Sequence, residues 1–392
     1  MRLTRTERMM LRGDMGEACR RAMELLLAIA DAYGYGKLIK IRSAHISGIS
    51  YKNIGDSGLE FIRDLAESGG FVRVKATMNP CGFDLDKPWL FDVDEEFYKK
   101  QMEIVRLLKL MGVEETLTCT PYYAGNNPRE GDHIAWAESS AVIYSNSVLG
   151  AYTDREGGPS ALAAALTGRA ALTPAHTDEG RMPEVKVKVH YKPRDYADWG
   201  LLGYVVGMRE PRLIPLLEGV KAGSRDELKY LSAGFGASSS APMFWLKRGE
   251  KECKGGVIEV DVSEVKSVRE KWSLTRRPTV VFIGCPHCSL KELRSIAEEL
   301  KEKRVRRDVK LLISTSRSVY ERAVKEGVEE VIRRSGGLLV KDTCLIVSPM
   351  RLSKSDVILT DSAKTAHYAQ TMTRAMIALG GRRRCLREAV ES

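Results

Sequence analysis

The sequence predicts an α/β fold of several units with mainly parallel sheets. Three observations carry that expectation. In the last third of the chain, short apolar runs alternate with amphipathic helical segments, the pattern of a parallel sheet covered by crossover helices. At 392 residues the chain is long enough for two or three units, each with its own core. No apolar run approaches the roughly 18 residues of a membrane span, and Met1 to Arg12 is polar and charged, unlike a secretory signal.

Gly16–Tyr33 has apolar residues at helical spacing (Met23, Leu26, Leu27, Ile29, Ala30) and stops at Gly34–Gly36, which predicts a helix. Ile39–Ile41 predicts a short strand, Ser43–Gly48 a polar loop and Asp56–Ser68 a second helix. Phe71–Thr77 alternates like a strand, and Asn79-Pro80-Cys81-Gly82 spells a turn. Asp94–Met111 predicts a long amphipathic helix. Glu115–Thr118 is short and strand-like and delivers Cys119 into a loop. Small residues fill Ala135–Ala151, and Pro159 opens a helix to Leu166. Pro183–Glu252 is glycine-rich and predicts irregular structure.

Beyond it, Thr279–Ile283 predicts a strand, and a capping box at Ser289 and Glu292 opens a helix towards Lys303. Val309–Ile313 predicts a strand, followed by a helix from Ser318. Gly337–Val340 and Val357–Leu359 predict strands, and Ser362–Leu379 a helix. The expected division is an N-terminal α/β region over 1–270, with room for two subdomains, and a C-terminal α/β unit over 271–392.

The formal net charge is +10, yet basic residues are interleaved with acidic ones, as in Glu292–Lys310. The one dense basic run is Arg382-Arg383-Arg384, and no aromatic-and-basic signature of RNA binding is present. Nucleic acid is therefore not an expected partner, whereas an anionic small molecule is. Glutamine occurs only at 101 and 370, amid abundant Lys, Arg and Glu, a balance that points to a heat-adapted source. The expected protein is soluble and cytoplasmic, without membrane contact.

Eight cysteines stand at 19, 81, 119, 253, 285, 288, 344 and 385. Without a signal peptide a disulfide framework is not expected, heat-adapted cytosol being the recognised exception. In open α/β sheets, ligands collect beyond the carboxyl ends of the strands. Cys119, Cys285 and Cys344 each follow a predicted strand there. Three thiolates on separate loops could hold a metal centre. Cys285-Pro286-His287-Cys288 also reads as a thioredoxin-like redox motif between strand and helix. The wide spacing lacks the paired knuckles of structural zinc. Clusters used only for electron transfer usually take four cysteines. Three leave one iron open, and an open iron is a Lewis acid that helps a hydroxyl depart.

Many motifs point one way. Ser43-Ala44-His45-Ile46-Ser47-Gly48, Tyr51-Lys52-Asn53-Ile54-Gly55-Asp56 and Cys119-Thr120-Pro121-Tyr122 open the set. Gly131-Asp132-His133-Ile134-Ala135-Trp136-Ala137-Glu138-Ser139-Ser140-Ala141 and Asn146-Ser147-Val148-Leu149-Gly150-Ala151 follow. Gly157-Gly158-Pro159-Ser160, Gly284-Cys285-Pro286-His287, Asp342-Thr343-Cys344 and Ser362-Ala363-Lys364-Thr365-Ala366-His367-Tyr368 complete it. In these the chain resembles the aconitase-X family over nearly its whole length, and within it the catalytic large subunit. One departure is Asp154-Arg155-Glu156-Gly157-Gly158, where the family pattern has Asn at the first position.

The resemblance implies an aconitase-like fold, with α/β units around a central iron–sulfur site. It implies Cys119, Cys285 and Cys344 as ligands of the cluster, 4Fe-4S as the expected form and 3Fe-4S if oxidised, and Cys288 as a bystander. It implies His45, Ser47 and His133 as catalytic or positioning groups. Asn53, Asn79, Asn146, Arg155, Arg317, Lys364 and His367 are implied to bind an anionic substrate. Guanidinium and ammonium groups match carboxylate and phosphate oxygens. The small swivelling domain of aconitase-like enzymes is absent here and is expected as a separate small subunit. The catalytic base is not assigned to this chain and could come from that subunit. The implied reaction is dehydration of mevalonate 5-phosphate to trans-anhydromevalonate 5-phosphate in an isoprenoid route. The alternatives are cis-3-hydroxy-L-proline as substrate, or a non-enzymatic iron–sulfur redox or sensor protein.

Overall fold

A computed structural model describes residues 2–247, 252–253 and 255–391. Met1 and Ser392, the ends of the expected domain spans, and 248–251, within the stretch read as irregular, lie outside the described residues. The chain divides into two compact units: Met1–Gly82 with Val93–Met182, and Phe83–Asp92 with Pro183–Ser392.

In the first unit, α1 (Arg5–Leu11) is opened by a capping box of Thr4 and Glu7. Helix α2 (Glu17–Ala32) buries Met23, Leu26 and Ala30 at helical spacing. Strand β1 (Leu38–Lys40) precedes β2 (Ser43–Ile46), α3 (Tyr51–Glu67) and β3 (Lys75–Met78). Then come α4 (Glu95–Leu110), β4 (Ala135–Trp136), α5 (Ser139–Tyr144), α6 (Gly158–Thr167) and β5 (Arg169–Ala171). Strands β1 and β5 pair antiparallel. The other sheet is parallel in the order β3-β2-β4, so β2 is central and buried along its length.

That corrects the reading of Ser43–Gly48 as a loop. Small and polar residues there carry no apolar run, yet a strand covered on both faces needs only to fit its neighbours. Glu115–Thr118 is not a strand: Glu114 makes one isolated bridge to Thr77, and Leu117 takes a positive φ of 42°.

The second unit begins with β6 (Val185–Val189), α7 (Tyr196–Arg209), β7 (Pro215–Glu218), α8 (Arg225–Ser238) and β8 (Trp245–Leu246). Strand β9 (Val257–Val260) and α9 (Val262–Glu270) follow, and the four strands form a parallel sheet in the order β8-β7-β6-β9. This overturns the expectation of irregular structure. The glycines taken for breakers let two helices touch: a Cβ at Gly203 would meet the Leu231 carbonyl on α8, and one at Gly234 the Gly200 carbonyl on α7.

The last segment runs β10 (Val280–Cys288), α10 (Leu290–Leu300), β11 (Lys310–Thr315), α11 (Arg317–Lys325), α12 (Val328–Arg334) and β12 (Leu338–Lys341). It ends with β13 (Val357–Thr360), α13 (Ala363–Met372), β14 (Met376–Leu379) and α14 (Arg382–Ala389). The expected Ser362–Leu379 helix is thus a helix and then a strand; the short apolar run Met376–Leu379 suits either by periodicity. These five strands form a parallel sheet in the order β12-β11-β10-β13-β14. The chain leaves β10 towards β11 on one side and later returns to β13 on the other. The carboxyl end of β10 is therefore the switch point at which such sheets take ligands. The core on this sheet gathers Val281, Ile283, Leu293, Ile296, Leu311 and Ile332, all fully buried.

No helix of the described residues is long and apolar enough to cross a membrane.

Candidate metal centre

Strand β10 keeps register with β11 up to Ile283↔Ile313 and resumes at Cys288↔Thr315. The residues between are thrown out as a bulge, which re-aims side chains at a sheet end. Gly284 makes this possible with a φ of +115°, and a Cβ there would collide with the Ser314 carbonyl. Cys285 sits in the bulge, 7% exposed, and the Cys285–Pro286 peptide is cis. Cys344 lies three residues past β12 and is 8% exposed.

These two thiols suit a cluster. None of the eight cysteines is in a disulfide, so neither of these is committed to one. Burial pushes the Cys344 thiol up to about 11, and a charge on Cys285 adds to this. The backbone N–H groups of Val347 and Ile346, and the Lys364 ammonium, act the other way and favour the thiolate. Donors of this kind stabilise sulfur ligands of iron. Among the described residues no three His, Cys, Asp or Glu side chains gather around one ion. A cluster, whose irons take thiolates separately, spreads its ligands wider than one ion does.

Cys288 differs from Cys285. It is 1% exposed in the sheet core, and burial pushes its thiol up. A redox pair needs an accessible, acidic thiol, so the core position argues against the thioredoxin-like reading.

Around Cys344, Asp342 takes a positive φ of 67° and is fully buried. The Arg317 guanidinium pairs with it and lies 3.7 Å from Asp86. Arg317, read from sequence as a substrate group, thus braces this loop. Lys364 sits in the first turn of α13, whose Ser362 cap accepts the Thr365 N–H at 3.1 Å. His367, on the same helix, lies 3.1 Å from the Tyr204 hydroxyl, and burial lowers its pKa.

The other expected residues belong to the first unit. His45 on β2 is fully buried, with Nδ1 2.8 Å from Thr77 Oγ1 and Nε2 3.3 Å from Asn79 Oδ1. It also hydrogen-bonds the Thr118 backbone, next to Cys119, and burial drives its pKa down to about 4. His45 and Asn79 are thus brought together at the carboxyl ends of adjacent strands. Ser47 follows β2, and its carbonyl packs on Gly158 at the start of α6. Asn53 is exposed in the first turn of α3. Asn146 is buried: its amide donates to the Thr153 carbonyl at 2.8 Å and accepts the Thr153 N–H at 3.0 Å. The Arg155 N–H donates to Asp154 at 2.7 Å. His133 Nδ1 lies 3.1 Å from His176 Nδ1, and its pKa is lowered by burial and by Arg181.

Some residues of these neighbourhoods were not found by sequence reading. Arg181 is buried and donates to the Asn146 carbonyl at 3.1 Å. Glu156 is raised to about 7 by burial, with Asp154 adding and the Ser160 hydroxyl opposing. Glu156 stands within the one motif that departs from the family pattern, which was the available signal.

Three profiles of the aconitase X family match the chain: the first domain over residues 1–179, the second over 183–271 and the third over 278–391. A phosphomevalonate dehydratase large subunit of Thermococcus kodakarensis is 42% identical over 94% of this chain and 95% of its own length. One from Methanocaldococcus jannaschii is 42% identical over 97% and 98%. A cis-3-hydroxy-L-proline dehydratase of Pseudomonas aeruginosa is 32% identical over 99% of this chain and 70% of its own length. The crystal structure of Thermococcus kodakaraensis aconitase X in its holo form superposes with a TM-score of 0.91 at 40% identity, covering 99% of this chain and 100% of that one. With an α/β architecture of mainly parallel sheets and matches along almost its full length, the chain belongs to the aconitase X family.

Proposed function

We propose that the chain is the catalytic large subunit of an iron–sulfur hydro-lyase that converts mevalonate 5-phosphate to trans-anhydromevalonate 5-phosphate and water. The observation that carries the reading is the pair of buried thiols, Cys285 in the bulge at the carboxyl end of β10 and Cys344 past the end of β12, neither in a disulfide and the latter under the influence of the Lys364 ammonium. Relatives named phosphomevalonate dehydratase large subunit stand at 42% identity and hydroxyproline dehydratases at 32%, which favours the phosphorylated substrate. The relatives' designation as large subunits supports a small-subunit partner.

Cys285 and Cys344, with Cys119 as the expected third thiolate, are the proposed cluster ligands, 4Fe-4S when active and 3Fe-4S after oxidation. The cluster would supply a Lewis-acidic iron for the departing hydroxyl. Lys364, at a helix N-terminus, offers positive charge to a carboxylate or phosphate. Arg155, Asn53, Asn146 and His367 remain proposed substrate groups, and Arg317 contributes through the Asp342 loop. His45, Asn79, Ser47 and His133 are proposed to orient substrate or water. With its pKa near 4, His45 does so as a neutral hydrogen-bonding group. The base that takes the proton alpha to the carboxylate is not assigned to this chain.

The test is turnover by the anaerobically reconstituted chain with its small subunit. The expected result is loss of water from mevalonate 5-phosphate. Turnover of cis-3-hydroxy-L-proline alone would select the second substrate. No turnover of either, with a cluster that cycles between redox states, would select the redox or sensor reading.

A further inference from the structure

His287 lies between the two cysteines of the Cys-x-x-Cys motif and is fully buried. The helix that follows is capped by Ser289, whose hydroxyl accepts the Glu292 N–H at 3.3 Å. The imidazole points elsewhere: its Nε2 lies 3.0 Å from the carbonyl oxygen of Thr343, the residue before Cys344. A carbonyl only accepts, so Nε2 carries the proton.

The backbone around His287 is pinned on both sides. Its own carbonyl accepts a hydrogen bond from Lys229 Nζ at 3.1 Å, and the Cys288 carbonyl accepts one from Thr315 Oγ1 at 2.7 Å. Lys229, itself fully buried, is paired with Glu292. The far end is fixed too, because Arg317 holds Asp342 and the Lys341 N–H donates to Asp84 at 3.1 Å. Strands β10 and β12 are not neighbours; β11 separates them. No ladder bond therefore ties the Cys285 bulge to the Cys344 loop, and the His287 hydrogen bond spans that gap.

We infer that His287 is a positioning residue, a strut that sets the separation of Cys285 and Cys344 by donating a hydrogen bond from one cysteine loop to the backbone of the other. The inference rests on the proposed role of the two cysteines as cluster ligands. Groups that orient metal ligands without touching the metal commonly change affinity about 10- to 100-fold when removed.

The experiment uses the reconstituted full-length chain. Iron and acid-labile sulfide content, the visible absorption spectrum and the rate of iron release to a chelator are measured for the wild type and for variants. His287→Ala is expected to release iron about ten-fold faster, with an altered spectrum. His287→Gln, whose amide nitrogen reaches where Nε2 stood, is expected to restore the wild-type rate. Release from His287→Ala at the wild-type rate, or equally fast release from His287→Gln and His287→Ala, overturns the strut. Should His287→Ala not fold, His287→Asn, with an amide too short to reach, takes its place. Independently of any variant, a cluster-loaded crystal structure with His287 Nε2 beyond hydrogen-bond distance of the Thr343 carbonyl also overturns it. Cys285→Ser and Cys344→Ser separate the two levels. If these keep wild-type iron and sulfide, the cluster reading itself fails; if they lose both while His287→Ala behaves as wild type, the strut alone fails.

Discussion

Cys119 follows Thr118 in the first unit, Cys344 follows Thr343 in the second, and a buried histidine reaches the backbone of each threonine: His45 that of Thr118, His287 that of Thr343. The surroundings differ. The Cys119 loop is held by neutral groups: the Thr118 N–H donates to the Met78 carbonyl at 3.1 Å, and the Thr118 and Thr120 hydroxyls are 3.1 Å apart. The second unit uses charge: Arg317 with Asp342, Lys341 with Asp86, and the buried set of Lys229, Glu292, Arg382 and Asp361. Neutral bonds are cheap to bury but are lost when a member gains a charge. A buried charged set holds only while it is complete. The two loops should therefore fail under different insults.

The largest effect is expected from Lys229→Met. It leaves the Glu292 carboxylate, fully buried, paired with Arg382 and without its ammonium partner. The expected loss is about 3 kcal/mol or more, by analogy with broken buried pairs. Urea unfolding checks it, and a loss below about 1 kcal/mol would remove the charged side of the contrast.

Acid should act on the first unit first. Burial lowers His45 to about 4 and His176 to about 3. Each neutral imidazole contributes stability that is full above the unfolded value near 6.5 and declines as pH falls. At pH 5 the loss is about 2 kcal/mol for each. Glu292 behaves oppositely: burial raises it, but Lys229 and Arg382 override that and hold it near 2. Its contribution is present above the ordinary carboxylate range and is lost only as pH falls towards 2. Between pH 6.5 and 4.5, hydrogen exchange should therefore quicken in β2, which carries His45, and not in α10, which carries Glu292. Equal quickening would contradict the contrast.

Cys288→Ala should cost about 1 kcal/mol, the price of a small core cavity, while iron and sulfide content stays at the wild-type level. Iron loss would return Cys288 to the site. The smallest structural effect is expected from Asn53→Ala: an exposed change within about 0.5 kcal/mol in stability, with a raised KM for mevalonate 5-phosphate if Asn53 meets the substrate. An unchanged KM would take it out of the site.

Sequence alone carried most of the alternating segments of the last third, because β10, β11, β12 and β13 are apolar runs and α10, α11 and α13 each open on a serine cap. The Ser289–Glu292 box is present as expected. Pattern failed where residues serve contact and not periodicity. Central β2 reads Ser-Ala-His-Ile, and the glycines of α7 and α8 mark a close helix crossing instead of a loop. Site legibility divides similarly. The position of Cys344 past a strand end could be read from the chain, whereas Cys285, expected after its strand, lies in a bulge within β10. The pairing of Arg317 with Asp342, the buried Arg181 and the direction of His287 depend on residues far apart in sequence, and no spacing rule reports them.

The most direct test of the account is iron and acid-labile sulfide per chain after anaerobic reconstitution. The expected result is matched iron and sulfide in the wild type and in Cys288→Ala, and loss of both in Cys285→Ser and Cys344→Ser. A wild-type chain that takes up neither, or serine variants that keep the full complement, would contradict it.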